Sequence, residues 1–207
     1  MKKSHSLLLS LLLSLGVIAA VNTHAAVITF DDLPATDLDA IPENHQGFNW
    51  GDSFFTNINY VHKNTFPDSG YATGVVSGEY AAFNPFATVS TIKTTGGEIF
   101  DFNGAYFTSA WKDNTNLKVT GFLNDVALFT QTVIINTSAA QWFDFNFMGI
   151  NSLELNVWNY EPNDGNDYYV MDNFTVNEAI AVSESSTIAL LLLGITGILF
   201  GRKFKQA

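Results

Sequence analysis

Carboxylate side chains near the two ends of the central region could bind a metal ion. Asp31 and Asp32 belong to the first predicted strand, and Asp172 belongs to the last one. Calcium takes about six to eight oxygen ligands from carboxylates, amides and main-chain carbonyls. Asp is also a common turn former that decorates strand ends without any metal. A structural calcium ion is therefore one hypothesis for these residues, and ordinary turn formation is the other.

Aromatic side chains in polar, loop-rich stretches could bind sugars. A pyranose ring stacks on an exposed aromatic face, while Asp and Asn side chains hydrogen-bond its hydroxyl groups. Trp50 and Tyr60 lie between residues 31 and 74, a stretch rich in Asn, Asp and Pro, and Trp158 and Tyr160 lead into a second polar loop. We predict these four as carbohydrate-binding residues. Burial is the alternative for each, because most aromatic residues of a β-sandwich pack in its core.

The stretch from 26 to 182 is strongly acidic. It holds nineteen of the twenty Asp and Glu residues, all except Glu184, but only four of the nine Lys and Arg residues, which gives a net charge of −15 without a single arginine. Such a surface repels phosphate backbones, so we predict no nucleic-acid partner. The same charge attracts divalent cations, although it also helps to keep an exported protein in solution.

Residue sets that carry out catalysis are scarce. The absence of cysteine excludes thiol catalysis and Cys-ligated zinc. His45 and His62 are the only histidines between 26 and 182, and neither a His-Glu-x-x-His nor a Gly-x-Ser-x-Gly motif is present. In so acidic a stretch some pair of carboxylates always suits a glycosidase, so that pattern carries no weight. We predict a protein without enzymatic activity.

The elements that must position these residues are predicted to be β-strands. Apolar and polar residues alternate in many short runs, which places one face of each strand in a core. Turn residues recur at the spacing typical of a sandwich, so we predict an all-β, antiparallel β-sandwich, as a jelly roll. Two or three short strands among long loops are expected between residues 31 and 74.

Two dipeptides predict tight turns. Asn103-Gly104 and Asn124-Asp125 each separate two alternating runs, and these residue types tolerate the positive φ angles that a two-residue hairpin requires. We therefore predict one hairpin at each dipeptide.

The first strand, Ile28–Leu33, and the last, Val170–Phe174, are similar to the opening and closing strands of secreted jelly-roll domains related to carbohydrate-binding modules. The resemblance implies that these two strands lie close together. It also implies a structural calcium ion nearby, with Asp31 or Asp32 and Asp172 as ligands.

Residues 1–25 have the three parts of a secretory signal peptide. Lys2 and Lys3 are the charged part, 7–21 is the apolar part, and Thr23 and Ala25 are the small residues that a signal peptidase reads. We predict cleavage after Ala25 and export, with an uncleaved membrane anchor as the alternative.

Residues 187–201 form an apolar run followed by the basic residues Arg202, Lys203 and Lys205. A helix of this length spans about 22 Å, somewhat less than the roughly 30 Å of a hydrocarbon core. We predict a short single-pass helix in the inner membrane, with the basic tail in the cytoplasm.

The last residues resemble a PEP-CTERM sorting segment, in which a Pro-Glu-Pro signature precedes a short membrane helix and a basic end. The residues that carry the resemblance are Val182, Ser183, Glu184, Ser185, Ser186 and Thr187, with Arg202 and Lys203 at the end. Ser183 and Ser185 stand where the family has prolines, which places cleavage in question but keeps the layout. The resemblance implies bacterial export, an exosortase-type membrane protease as partner, and association with exopolysaccharide.

The predicted domains are thus a signal peptide (1–25), a β-sandwich (26–180) and a sorting segment (181–207). We predict an exported, non-enzymatic protein of the cell surface or extracellular matrix, associated with exopolysaccharide or a biofilm. A lectin-like module with a defined glycan and a permanently anchored envelope protein are the two alternatives.

Overall fold

A computed structural model describes residues 25–159 and 167–178. The chain divides into two units, Met1–Asn177 and Glu178–Ala207, and the fold below is that of the first. The predicted signal peptide, the sorting segment with its membrane helix, and Tyr160 lie outside the described residues. Within the two described ranges, no helix is long and apolar enough to span a bilayer.

The described residues form twelve strands and one short helix, α1, at Gly70–Thr73 between the fourth and fifth strands. The strands are β1 (Ala26–Ile28), β2 (Leu38–Ala40), β3 (Phe48–Trp50), β4 (Asn59–His62), β5 (Tyr80–Phe83), β6 (Ser90–Thr94), β7 (Phe100–Ser109), β8 (Thr115–Leu123), β9 (Val126–Ile135), β10 (Gln141–Ile150), β11 (Ser152–Trp158) and β12 (Tyr169–Val176).

The strand order is that of a jelly roll. One sheet runs β10-β7-β12-β5-β4-β2, with β1 also paired to β12, and the other runs β3-β6-β11-β8-β9. From β5 to β12 the chain crosses repeatedly between the sheets, which places β5-β12-β7-β10 opposite β6-β11-β8-β9, as two interlocked Greek keys require. Every ladder is antiparallel. The predicted fold class is confirmed.

The strands at the two ends of the domain pair with each other, as expected. The first of them ends at Ile28, so Asp31 and Asp32 lie in a turn after it and not in the strand as predicted. Ile28 of β1 lies opposite Phe174 of β12, and Ala26 lies opposite Val176. The loop-rich stretch between 31 and 74 contains three short strands, β2 to β4, which also agrees with the prediction.

Only one of the two predicted hairpin turns exists. Asn124 and Asp125 have φ angles of 50° and 64° and join β8 to β9, as predicted. Asn103 and Gly104 instead lie inside the continuous strand β7, so the hairpin predicted there is wrong. A Cβ atom at position 104 would overlap the carbonyl oxygen of Phe143 and lie 2.7 Å from the ring of Trp142. The glycine thus lets the neighbouring strand β10 approach closely, and it does not mark a turn.

The core between the sheets is largely aromatic. Phe102 stacks on Phe174 with ring centroids 4.8 Å apart and on Phe145 with centroids 5.3 Å apart. Both phenylalanines at the centre, Phe102 and Phe174, are fully buried. Because the described residues contain no disulfide-forming cysteine, this packing must supply most of the stability.

A second, smaller cluster lies on the outer face of the seven-stranded sheet. Along β4 and β5, Tyr60 and Ala82 face the main core, whereas Val61, Ala81 and Phe83 face outward and are also buried. The cover is the segment around α1, whose Tyr71 packs against Phe83 with centroids 5.2 Å apart. The segment around α1 therefore shields the outward-facing residues of β4 and β5 from solvent.

Helix α1 is held close to β7 by a cap and by a glycine. The Ser69 hydroxyl accepts a hydrogen bond from the Tyr71 N–H at 3.2 Å, as an N-cap residue does. A Cβ atom at position 70 would overlap the carbonyl oxygen of Ser109, so only glycine permits this approach. The Gly70 N–H donates to the Ala110 carbonyl at 2.9 Å, which fixes Tyr71 beside the end of β7.

Candidate functional site

An open cleft of about 450 Å³ lies beside this second cluster and is lined mainly by aromatic rings. We call it the Trp111 cleft. Its volume is in the range of small-molecule sites, which are typically about 300–1,000 Å³. The lining residues are Leu38, Asn59, Phe66, Tyr71, Phe83, Pro85, Phe86, Trp111 and Tyr168.

Trp111 is the aromatic residue best placed to contact a ligand in this cleft. Its side chain is 47% exposed, whereas Tyr71 and Phe83 beneath it are buried. The Trp111 ring meets Tyr71 and Phe66 edge to face, with centroids 5.5 Å and 5.8 Å away. Two neighbouring rings therefore hold the indole in place before a ligand arrives, which lowers the entropy lost on binding.

The Tyr71 side chain supports Trp111 through ring packing. Burial raises the pKa of Tyr71 and Tyr168 acts in the same direction, whereas the neighbouring Trp111 side chain acts against the rise. The hydroxyl therefore stays protonated at neutral pH. The cleft thus contains an exposed indole packed on a buried phenol.

A group of exposed phenylalanines continues the apolar surface from the cleft. Phe54, Phe55 and Phe86, the phenylalanine patch, are 69%, 63% and 39% exposed. Their ring centroids lie 5.0–5.7 Å apart, and Phe86 also lines the Trp111 cleft. Contiguous exposed apolar surface of this kind marks interaction sites more often than a scattered single residue does.

The charged groups beside the cleft are neutralised by pairing. Lys112, next to Trp111 in the chain, donates to the Asp167 carboxylate at 3.2 Å, and both side chains are largely buried. The other carboxylate oxygen of Asp167 accepts from the Asn159 N–H at 3.2 Å. Elsewhere Lys63 pairs with Glu79. The cleft is therefore lined by aromatic rings and the Asn59 amide, and the nearby positive charge of Lys112 is paired.

The structure buries two of the four predicted carbohydrate-binding residues in the core. Trp50 is only 3% exposed and Tyr60 only 2%, so neither offers a ring face to a ligand. Trp50 packs between Phe30 and Phe174 in the main core, and its indole N–H donates to the His45 carbonyl at 3.1 Å. An edge of Trp50 borders a small polar pocket, but its rings belong to the core.

The other two predicted residues have different outcomes. Trp158 is half-buried near the end of β11, where its strand neighbours Leu155 and Val157 face the core. Its carbonyl lies opposite Asn116 of β8, at the other sheet from the Trp111 cleft. Tyr160 lies outside the described residues. The three of these residues that the structure describes, Trp50, Tyr60 and Trp158, therefore do not present one ligand surface.

Sequence reasoning did not single out Trp111, although a signal existed. Trp111 is the first residue after β7, and it is followed by the polar run Lys112-Asp113-Asn114. A tryptophan at a strand end, next to residues that cannot enter a core, is a better candidate for exposure than one inside an alternating run. Phe66 and Tyr168 offered no comparable signal, because only the fold brings them to Trp111.

The carboxylates of Asp31 and Asp172 accept hydrogen bonds from the same loop. Asp172 is fully buried, and one of its oxygens accepts from the N–H groups of Val76 and Ser77 at 2.7 Å and 2.9 Å. Asp31 accepts from the N–H groups of Glu79 and Tyr80 at 2.7 Å and 3.2 Å. Four backbone N–H groups between Val76 and Tyr80 therefore donate to these two carboxylates, whose oxygens are the ones that a calcium ion would need.

Asp32 points to a different set of partners. Its carboxylate accepts from the Gln46 side-chain amide at 2.6 Å and lies 3.5 Å from the His45 ring. Among the described residues, no group of three or more Asp, Glu or His side chains is arranged to hold a metal ion. The calcium site predicted at Asp31, Asp32 and Asp172 stays a prediction, and in the structure the carboxylates of Asp31 and Asp172 accept hydrogen bonds from backbone N–H groups.

Asp172 is expected to make stability depend on pH. Burial raises its pKa from 3.8 to about 6, the Asp31 charge acts in the same direction, and three backbone N–H groups oppose the rise. The folded state therefore binds more protons than the unfolded state between these values. The stability that Asp172 contributes through this shift is complete below the pKa of the unfolded state. It is lost as the pH rises through the pKa of the folded state.

We expect the free energy of unfolding to fall by up to about 3 kcal/mol more in the wild type than in Asp172→Asn between about pH 4 and pH 7.5. Asparagine is matched in shape and remains neutral at every pH, so it isolates this one titration from those of the other acids. Urea unfolding of residues 26–180 at several pH values measures both curves. If the free energy of unfolding changed with pH in the same way in both proteins, the raised pKa of Asp172 would be contradicted.

No family model matches the chain, and no curated protein sequence matches it. Some solved structures are similar to it. CBM51 from Clostridium perfringens GH95, solved in complex with methyl-galactose, is 11% identical with a TM-score of 0.40, over 73% of this chain and 100% of that one. A CBM22 tandem domain from Paenibacillus barcinonensis Xyn10C is 12% identical with a TM-score of 0.38, over 77% of this chain and 46% of that one.

A third similar structure is TmCBM61 in complex with β-1,4-galactotriose, which is 10% identical with a TM-score of 0.35, over 67% of this chain and 95% of that one. The assignment of this chain to the jelly rolls rests on its own strand order.

Proposed function

We propose that this chain is an exported, non-catalytic carbohydrate-binding protein, and that its jelly-roll domain binds a polysaccharide in the Trp111 cleft. The observation that carries the proposal is the exposed, pre-positioned indole of Trp111 in an open aromatic cleft. This favours the lectin-like alternative over a purely structural protein of the matrix.

Aromatic rings suit the apolar faces of sugar rings. Stacking buries the C–H face of a pyranose on the indole and leaves its equatorial hydroxyls at the rim, where polar groups can contact them. Asn59 lines the cleft, and an amide both donates and accepts hydrogen bonds. Binding by this surface requires neither a metal ion nor a charged ligand.

The charge of the domain favours a neutral ligand. The stretch 26–182 carries a net charge of −15, and Lys112 beside the cleft is already paired with Asp167. A polymer of uronic acids would meet repulsion that this cleft does not offset. We therefore propose a neutral polysaccharide as the ligand.

The phenylalanine patch favours a chain of several sugars over a single one. Phe86 belongs to both the patch and the cleft, so the apolar surface extends beyond Trp111 toward Phe54 and Phe55. A polymer can contact both parts at once, whereas a monosaccharide contacts only one. Affinity should therefore increase with oligosaccharide length.

Affinity electrophoresis of residues 26–180 against a panel of polysaccharides tests the proposal. We expect retardation by at least one neutral polysaccharide, about tenfold weaker retardation by a uronate-rich one, and little effect of salt on the neutral case. Retention only by anionic polymers, or by none in a broad panel, would contradict it.

The two ends of the chain supply the proposed destination. We propose that the signal peptide exports the chain, that the segment 187–201 holds it in the inner membrane, and that an exosortase-type protease acts at the segment 182–187. The bound partner would then be exopolysaccharide at the cell surface or in the extracellular matrix. The intact mass of the surface form locates both cleavage points, and an uncut C-terminus would indicate a permanent anchor.

A further inference from the structure

Strand β9 is an unpaired edge of the five-stranded sheet. Its ten residues, Val126–Ile135, pair with β8 on one side. In the part of the chain that the structure describes, no strand pairs with its other side. Alternate N–H and C=O groups along that side are therefore available to another strand.

The sequence of β9 lacks two of the features that usually protect an edge, and its one bulge lies near the start of the strand. It contains no charged residue and no proline, although the surrounding stretch 26–182 holds nineteen carboxylates. Val126, Leu128 and Ile134 are 61%, 47% and 54% exposed. Natural edges are commonly blunted by lysine, proline or a bulge, so a long uncharged edge indicates a pairing surface.

The other edges in the described residues are protected. The ladder between β10 and β7 has two register shifts, and Asn146 and Gly149 have φ angles of 51° and 67° within β10. At the opposite edges, β2 and β3 have three residues each. β1 also has three residues and pairs only with β12. Among the described strands, β9 therefore has the longest regular, uncharged edge segment.

The ladder between β8 and β9 shows which part of the edge is regular. Gly121 pairs with Phe129, but Phe122 pairs with Ala127, so Leu128 is the extra residue of a bulge. Beyond the bulge, Phe129–Ile135 runs without interruption. Exposure alternates along this segment, with Thr130, Thr132 and Ile134 on the outer face.

We infer that β9 pairs antiparallel with β9 of a second copy of this chain, about a twofold axis through Thr132. In this register Thr132 faces its own equivalent and Thr130 faces Ile134 of the other copy. Threonine pairs and β-branched pairs are favourable cross-strand neighbours, and no like charges meet. The two five-stranded sheets join into one, and the dimer is closed, as a twofold interface requires.

Charge favours a second copy at this surface and disfavours it elsewhere. Two domains of net charge −15 repel each other over most of their surfaces, and the uncharged strand is where they can approach most closely. On the outer face next to β9, Lys118 of β8 lies opposite Thr132 and supplies a positive charge. The pairing also covers the exposed apolar residue Ile134.

Cysteine cross-linking in the full chain tests this register, because the chain has no cysteine of its own. In detergent micelles under mild oxidation, Thr132→Cys should form a disulfide-linked dimer. Directly opposed residues lie about 4.5–5.5 Å apart, which suits a disulfide. Val126→Cys is the matched control on the same strand, since its equivalents in this register lie about 40 Å apart.

We expect at least about fivefold more cross-linked dimer for Thr132→Cys than for Val126→Cys, because random collision in a micelle does not depend on position. Thr132→Lys should abolish dimerisation in light scattering, whereas Met148→Lys on β10 should leave it unchanged. Equal cross-linking at positions 132 and 126, cross-linking at neither, or a dimer that survives Thr132→Lys would overturn the inference.

Discussion

Replacing Trp111 by alanine is expected to weaken polysaccharide binding about thirtyfold, which corresponds to about 2 kcal/mol for a central aromatic contact. The substitution removes the exposed ring of the cleft. It should change the free energy of unfolding little, because the indole is 47% exposed and lies outside the main core. Titration calorimetry with a neutral oligosaccharide, together with urea unfolding, separates the two effects.

Two variants control for this prediction. Trp142→Ala removes another half-buried indole from the same sheet, at the far strand β10, and should leave the affinity unchanged. Tyr71→Phe keeps the ring that packs against Trp111 and should cause a smaller loss than Trp111→Ala. If Trp142→Ala were the variant that lost binding, the ligand site would lie at β10 and not in the Trp111 cleft.

Replacing Trp50 by alanine is expected to have the opposite pattern. It should lower the free energy of unfolding by about 3–5 kcal/mol, the usual cost of deleting a large buried aromatic side chain. The ring centroids of Phe30 and Phe174 lie 5.2 Å and 5.3 Å from Trp50, so the cavity would open at the centre of the core. Because whole domains are stable by only about 5–15 kcal/mol, the variant should be close to unfolding at 37 °C.

Trp50→Phe is the matched control for this loss. Phenylalanine keeps an aromatic ring in the core but removes the indole N–H that donates to the His45 carbonyl, so the loss should be about 1–2 kcal/mol. Urea unfolding measures both variants, and the folded fraction of each should bind polysaccharide normally. A Trp50→Ala protein of normal stability that fails to bind sugar would show that Trp50 is a binding residue after all.

The contrast between the two tryptophans shows the limit of sequence reasoning about the site. Trp50 was a reasonable candidate because it lies in a stretch of Asn, Asp and Pro, yet Phe48, Asn49 and Trp50 form a short alternating strand with both aromatics inward. Three residues are too few for a period of two to stand out. The Trp111 cleft is assembled from distant segments, and no local pattern predicts such a meeting.

The fold was more accessible than the site, because alternation reports directly which face of a strand is buried. The all-β class predicted from such runs is the one observed. The error at Asn103-Gly104 has a tertiary cause. The dipeptide has the same local preference as Asn124-Asp125, but pairing of β7 with both β10 and β12 keeps it extended.

Asp31 and Asp172 show the same difference between predicting the fold and predicting a site. The expected approach of the first and last strands is real, since β1 pairs with β12 and Asp31 and Asp172 hold one loop. What the sequence could not show is that backbone N–H groups occupy these oxygens. A buried carboxylate needs hydrogen-bond donors or a cation, and here the loop from Val76 to Tyr80 supplies the donors.

The indole N–H signals of a ¹⁵N-labelled protein give the most direct test of the central claim that the Trp111 cleft binds a neutral polysaccharide. The chain has four tryptophans, so four signals report on four separate places. Addition of a neutral oligosaccharide that retards the protein should shift the Trp111 signal and leave the Trp50 signal in place. A shift at Trp142 or Trp158 with Trp111 unchanged would contradict the account.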